Sequence, residues 1–279
     1  MNWGGAGAAR LADGRLHLQH GPIDLVIEAW GERAEVAAAY RQASARFLDI
    51  LEVLVQELPQ LRTPLGEAYP LLRGPVARRM LAACWPHRAS YITPMAAVAG
   101  SVADEILQAM LQARDLSRAY VNNGGDIALH LAEGKALTLG VVNNIDHPAI
   151  DATVCLDASM PARGLASSGW RGRSQSLGIA DAVTVFAADA AAADAAATMI
   201  ANAVNVEHAA ISRRPARALR ADSDLQDLPV TVAVGTLPAG ARTEALAQGQ
   251  QRARELQRQG LIYAAYLVLQ GEVRALLPG

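Results

Sequence analysis

Residues Arg163 to Asn205, RGLASSGWRGRSQSLGIADAVTVFAADAAAADAAATMIANAVN, decide how this chain is read. They hold a glycine-ended turn, then a β-branched run, then an alanine helix carrying two acids, Asp189 and Asp194. Helical spacing puts Asp194 and Thr198 one turn apart on one face, pointing back toward the loop before the strand. A carboxylate and a hydroxyl so placed suit a hard cation. The plainer reading keeps both aspartates as early-helix acids favoured by the positive end of the helix macrodipole.

Working outward, residues 15 to 30, RLHLQHGPIDLVIEAW, alternate about Gly21-Pro22 as a hairpin does. Apolar residues at three and four spacing predict an amphipathic helix over 34–58, ended by Pro59. A proline- and glycine-rich loop follows, then a short helix from Pro75 that stops before Pro86. Residues 89–113 begin extended, turn at Thr93-Pro94 and run on as a helix whose first turns contain Gly100 and Ser101, small enough for something to approach the backbone. Residues 117–142 read as two or three strands, with Gly124-Gly125 marking a bulge or tight crossing that presents Asp126. Residues 210–227 lack periodicity and read as a surface connection. A strand at 228–235, a helix at 242–258 and a hairpin turning at Gly271 complete the chain. Hairpins mixed with helices make it α+β, not a doubly wound βαβ sheet.

At 279 residues the chain can form one domain over 1–279 or two intimately packed lobes. The net charge of −2 comes without a basic stripe, which argues against nucleic acid and anionic membrane as partners and favours a small molecule or protein. No basic-then-apolar leader and no membrane-length apolar run is present, so a cytoplasmic protein is expected. Cys84 and Cys155 stand alone, without CxxC spacing, as small core residues.

Three clusters join small residues to polar groups in the way a ligand cradle requires: Thr93 to Ala103, Asn122 to Ile127, and Arg163 to Gly169 with Asp181, Asp194 and Thr198. In this order, TPMAAVAGSVADEI, VNNGGDIAL, RGLASSG and ADAVTVFAADAAAADAAATMIAN resemble the ApbE-like superfamily of flavin transferases, and most closely its short cytoplasmic branch of uncharacterised proteins. The resemblance runs from about Gly21 to the C-terminal strand. It implies an α+β fold with mixed or antiparallel sheets packed with helices around a central cleft that takes a flavin nucleotide, FAD or FMN. Within that cleft it nominates Thr93, Pro94, Met95, Ala96, Asn123, Gly124, Gly125, Asp126, Arg163, Ser167, Ser168 and Gly169 as cofactor-binding residues. It also implies Mg²⁺ held by Asp194 and Thr198, completed by a backbone carbonyl near residues 94–97. Such an ion would neutralise charge developing on phosphate oxygens when a pyrophosphate is split.

One departure matters. The transferases carry a His-x-x-Asp-Pro segment between their ATSG turn and the metal strand, whereas this chain has RSQSLGIADA, with neither histidine nor proline. Two functions therefore stand: a Mg²⁺-dependent flavin transferase or FAD pyrophosphatase type of enzyme, or a non-catalytic flavin-, pterin- or nucleotide-binding protein. A third reading makes the alanine helix and the C-terminal hairpin a homo-oligomer interface. Apart from the resemblance, His87 and His147 are acid–base candidates, set against solvated or capping histidines. Asn143, Asn144, Asp146 and Asp151 around His147 read as a polar rim or as turn chemistry. Arg163 reads as a phosphate clamp or as a surface ion pair.

Overall fold

The computed structural model describes residues 5–141, 152–172 and 174–278. His147 and its polar neighbours Asn143, Asn144, Asp146 and Asp151 lie outside them. The chain opens with β1 (Gly7–Arg10), β2 (Leu16–His20) and β3 (Ile23–Gly31), then forms the helices α1 (Arg33–Phe47), α2 (Ile50–Gln56), α3 (Leu58–Leu61) and α4 (Pro75–Cys84). Two 3₁₀ turns, Trp85–His87 and Pro94–Ala97, lead to α5 (Val98–Leu111). The middle contains β4 (Leu116–Asn123), β5 (Asp126–Leu131), β6 (Ala136–Val141), β7 (Ala152–Asp157), β8 (Gly164–Ser168), β9 (Ala182–Ala187) and α6 (Ala190–Ala203). Last come β10 (Ile211–Pro215), α7 (Ala216–Leu219), β11 (Pro229–Val234), α8 (Ala239–Arg258), β12 (Ala264–Leu269) and β13 (Glu272–Leu276).

Nine strands form one sheet in the order β1-β2-β3-β4-β5-β8-β9-β12-β13, and β6-β7 and β10-β11 form two-stranded ribbons. Each pairing among the described residues is antiparallel, so the expected α+β architecture takes its antiparallel form. Alternation along the strands divides the buried residues between the two faces of the sheet. On β5, Ala128 joins the cluster under α1, α4 and α5, while Leu129 and Leu131 turn to the opposite face. There they meet Leu137 and Leu156 of the β6-β7 ribbon and Phe186 of β9. A further cluster lies between β8, β9 and β12 on one side and α6 and α8 on the other.

Several expectations change. The helix expected over 34–58 breaks at Leu48-Asp49, and the break keeps Ile50, Leu51 and Leu54 of α2 buried in line with Phe47. Pro59 does not end a helix; it sits in the first turn of α3, where its missing N–H has no helical partner to lose. Gly124 and Gly125, with φ of 65° and 111°, form a two-residue hairpin turn and not a bulge. Residues 210–227 are not simply a connection, because Ile211–Pro215 pairs with Pro229–Val234.

Candidate functional site

The site is organised by two helix starts that run into one another. Gly100, in the first turn of α5, lies so close to α6 that an added Cβ would stand 2.2 Å from the Ala190 carbonyl oxygen. Gly164, at the start of β8, is tighter still, with 1.9 Å to the carbonyl carbon of Asp189. The small residues read as room for a visitor here admit the N-terminus of α6. Each helix then caps the other. Asp104 of α5 accepts the Ala190 and Ala191 N–H groups at 3.1 and 2.9 Å, and Asp194 of α6 accepts the Gly100 N–H at 3.0 Å. These first-turn N–H groups have no partner within their own helix. Asp189 caps its own helix by accepting from Ala192 N at 2.8 Å.

Burial dominates the electrostatics. Desolvation pushes the Asp104 carboxyl up to about 7, the Asp189 charge adds to the rise, and the two accepted N–H groups pull against it. Desolvation also raises Asp194 to about 7, opposed by the N–H groups of Gly100 and Ala99, although the residue as a whole is half-buried. Cys84, fully buried at the end of α4, is pushed well up by burial and then by the charges of Asp194 and Asp224. Its thiol donates to the Pro94 carbonyl.

Around this junction the nominated residues divide. Thr93 is buried, its hydroxyl donates to the Asp224 carboxylate, and Pro94, Met95 and Ala96 form the 3₁₀ turn that feeds α5. Asn123 donates its amide to the Ala99 carbonyl at 3.1 Å, tying the end of β4 to the start of α5. Asp126 accepts from Ser167 N at 3.3 Å, and Ser167 shares a 2.9 Å hydroxyl contact with Thr184. Thus Ala99, Asn123, Asp126 and Ser167 link the first turn of α5 to the ends of β4, β5 and β8. Thr198 extends this arrangement. It is half-buried on α6, one turn beyond Asp194.

Other nominees stand apart. Arg163, at the far end of β8, donates to the carbonyls of Ala158 and Ala162 at 2.7 Å each and to that of Met160. Its guanidinium therefore holds residues 158–162 in shape, which answers neither the clamp nor the surface-ion-pair reading. Gly124 and Gly125 form the hairpin tip, where Asn122 Oδ1 accepts from Gly125 N at 2.8 Å. Gly169 packs against Asp181, its absent Cβ only 2.4 Å from that carbonyl oxygen. Asp181 itself accepts from Trp170 Nε1 at 3.2 Å, Arg171 Nε at 3.0 Å and the Gln270 N–H.

Sequence reading passed over Asp104 and Asp224. The signal for Asp104 was available, because of the two acids in VADEI it is the one that falls in helical register with Gly100, Ala103 and Leu107 on a buried face. Asp224 gave no such signal, since its partners Tyr91 and Thr93 are more than 130 residues away in sequence.

The antiparallel α+β fold and the ordered site motifs define the class as the ApbE-like superfamily. The chain belongs to the family described as AbpE bacteria, whose family model matches residues 8–275. It is 34% identical to a UPF0280 protein of Methanothermobacter thermautotrophicus over 151 residues, 54% of this chain and 57% of that one. With a UPF0280 protein of Methanothrix thermoacetophila the identity is 37% over 131 residues, 47% and 52% of the two chains. The chain thus spans about half the length of the curated relatives it matches. Among solved structures it is similar to the ApbE protein of Thermotoga maritima, at 13% identity and TM-score 0.43 over 96% of both chains. It is also similar to the apo flavinyl transferase ApbE of Pseudomonas stutzeri, at 12% identity and TM-score 0.41 over 97% of this chain and 93% of that one. Among the described residues no helix is long and apolar enough to cross a membrane.

Proposed function

We propose that this protein binds a flavin nucleotide, FAD or FMN, beside the α5–α6 junction, with Mg²⁺ held by Asp194 and Thr198. The carrying observation is Asp194 itself, a half-buried residue whose carboxylate reaches the start of α5 and accepts the Gly100 N–H there. A Mg²⁺ site commonly uses one or two carboxylates and takes its remaining oxygens from water and ligand phosphates. That economy fits this chain, since the described residues contain no cluster of three or more His, Cys, Asp or Glu suited to a metal. A carboxylate has lone pairs to spare, so Asp194 can keep the Gly100 N–H and still face a cation. When bound, the ion would neutralise charge on phosphate oxygens. Asn123 and Asp126 would fix the rim, and Ser168, on the α6 side of β8, would offer its hydroxyl to the ligand.

Binding without group transfer is the form of this reading that the loop after β8 favours. Where the transferases carry His-x-x-Asp-Pro, this chain has Asp181 already accepting three hydrogen bonds, and Gly178 packed with its absent Cβ 2.0 Å from the Ala201 carbonyl. Neither is placed to move a proton.

Calorimetric titration with FMN and with FAD, each with and without Mg²⁺, tests the proposal on wild type and Asp194→Asn. The amide keeps an acceptor for Gly100 N and removes the charge, so Mg²⁺-dependent affinity should fall at least about tenfold, roughly the 1.4 kcal/mol that tenfold represents. Unchanged Mg²⁺ dependence in the variant would retire the metal assignment. Absence of binding by either nucleotide under all conditions would retire the flavin reading.

A further inference from the structure

A groove of about 980 Å³ lies between α1, α4 and α5 on one side and the start of α6 with Leu261 on the other. None of the residues assigned above to flavin or metal lines it. On α6 its wall is formed by Asp189, Ala191 and Ala192 of the helix start; Ala192 lies on a different face from Asp194 and Thr198, while Ala191 lies on theirs but one and two turns nearer the N-terminus.

The groove gathers incomplete hydrogen bonding. Among the described residues, Gln42 Oε1, Arg79 Nε and His87 Nδ1 are buried polar atoms without a partner, and all three belong to residues lining this groove. His87 is the sharpest case, its side chain 2% exposed. Native structures rarely leave buried polar atoms unpaired, because each has given up water without replacing it. Two of these side chains are otherwise held. Gln42 Nε2 donates to the Gln112 carbonyl at 2.9 Å, and an Arg79 terminal nitrogen donates to Gln108 Oε1 at 2.8 Å. Each unpaired atom has almost no accessible surface, so a ligand in the groove reaches it through a small side-chain rotation.

The charges select the ligand. Arg46, Arg78 and Arg79 line the groove against Glu105 and Asp189. Glu105 is taken by Arg46 at 2.8 Å, with Arg79 farther off at 3.5 Å, and Asp189 is turned to its own helix. Among the described residues Arg78 is the groove arginine that pairs with no carboxylate, so positive charge is left over there. His87 is held neutral, its pKa lowered to about 4 by burial and then by Arg252, so Nδ1 can accept or donate by tautomer. We infer that this groove is a second binding site, for a small oxyanion carrying hydroxyls, such as a phosphate monoester or hydroxycarboxylate. Its anionic group meets Arg78 and the Nε–H of Arg79, while its hydroxyls meet Gln42 Oε1 and His87 Nδ1. A guanidinium matches carboxylate and phosphate oxygens better than a point charge does.

This site is independent of the flavin reading, and the test keeps them apart. Inorganic phosphate, ribose 5-phosphate and citrate are titrated into wild type and Arg79→Gln, with thermal midpoint and calorimetry as readouts and circular dichroism to verify the fold. At least one of the two organic anions should bind and raise the midpoint, with tighter affinity than inorganic phosphate. Arg79→Gln should weaken that binding tenfold or more and leave flavin affinity unchanged. In ¹⁵N spectra of labelled histidine, the bound ligand should shift the His87 Nδ1 resonance. Failure of all three anions to bind wild type overturns the proposal. So does equal affinity in the variant, or inorganic phosphate binding as tightly as the organic anions.

Discussion

The two halves of this molecule fill their interiors in opposite ways. Under α1, α4 and α5 large side chains are fully buried between the alanines: Phe47, Ile50, Leu61, Met80, Leu81, Ile106 and Met110. Around α6 the buried side chains are mostly methyl groups, with Ala190, Ala191, Ala193, Ala195, Ala196, Ala197 and Ala201 all buried on one helix. The first half keeps elements at the spacing that long side chains require. The second brings backbones into contact through Gly100, Gly164 and Gly178. Interiors are close-packed in either case, so the two halves should fail differently, one by gaining space and the other by losing it.

The largest expected effect lies in the first half. Phe47, 1% exposed and edge-on to His20 with ring centroids 6.4 Å apart, is replaced by alanine at a cost of about 4 kcal/mol, as a lost transfer energy plus a cavity. Urea unfolding measures it. A loss below about 1.5 kcal/mol would mean the helices collapse onto the gap, and the contrast with α6 would weaken.

Adding one methyl in the second half should cost nearly as much. In Gly164→Ala the new Cβ overlaps backbone atoms of Asp189 and Ala190 at 1.9 and 2.1 Å, which side-chain rearrangement cannot relieve. About 3 kcal/mol, the upper end for overpacking, is expected from the same unfolding experiment. Gly66→Ala supplies the control, since nothing lies within 4 Å of its absent Cβ. Its effect should stay within about 0.5 kcal/mol. Equal losses at Gly164 and Gly66 would show that α6 can move away.

The same contrast explains what could be read from sequence. Both terminal hairpins, with turns at Gly21-Pro22 and at Gly271, were legible because the residues that turn the chain adjoin the strands they join. So was α6, whose Asp189 cap and alanine run are local. The break at Leu48-Asp49 was hidden, because the apolar spacing that drew one long helix continues across it. Of the β10–β11 ribbon, β11 was legible as the strand at 228–235, while β10 was hidden because its polar residues carry no alternation. For the candidate site, the motifs named Asp194, Asn123, Asp126 and Ser167, which the fold ties to the start of α5 and the strand ends beside it. Their linkage was not legible, since Asp194 meets Gly100 across 94 residues and Asp104 meets Ala190 across 86. Glycine beside polar residues signalled a close approach without saying whether a ligand or a helix would make it. At Gly100 and Gly164 it is a helix.

The smallest effect, and the one that probes the junction most directly, belongs to Asp104. Its pKa stands near 7 in the folded protein, raised from an ordinary 3.8, so between those values the folded state binds more protons than the unfolded state. Stability from this group is therefore complete below about pH 4 and is lost as pH rises through 7. Asp104→Asn imitates the protonated acid, with one carbonyl oxygen as acceptor and no charge. At pH 5, where the unfolded carboxyl is already ionised, the variant should be more stable than wild type by on the order of 1 kcal/mol, and at pH 8 the margin should be wider, because it carries no buried charge to desolvate. An opposing force is real: the Ala190 and Ala191 N–H groups point at this carboxyl, and the positive end of α6 favours an anion. If that force governs, the variant will be less stable at both pH values and the difference will grow toward pH 8. Unfolding at pH 5 and pH 8 thus reads whether the α5–α6 junction holds Asp104 as a neutral acid or as a charge, and only the first outcome agrees with burial outweighing the helix N-terminus.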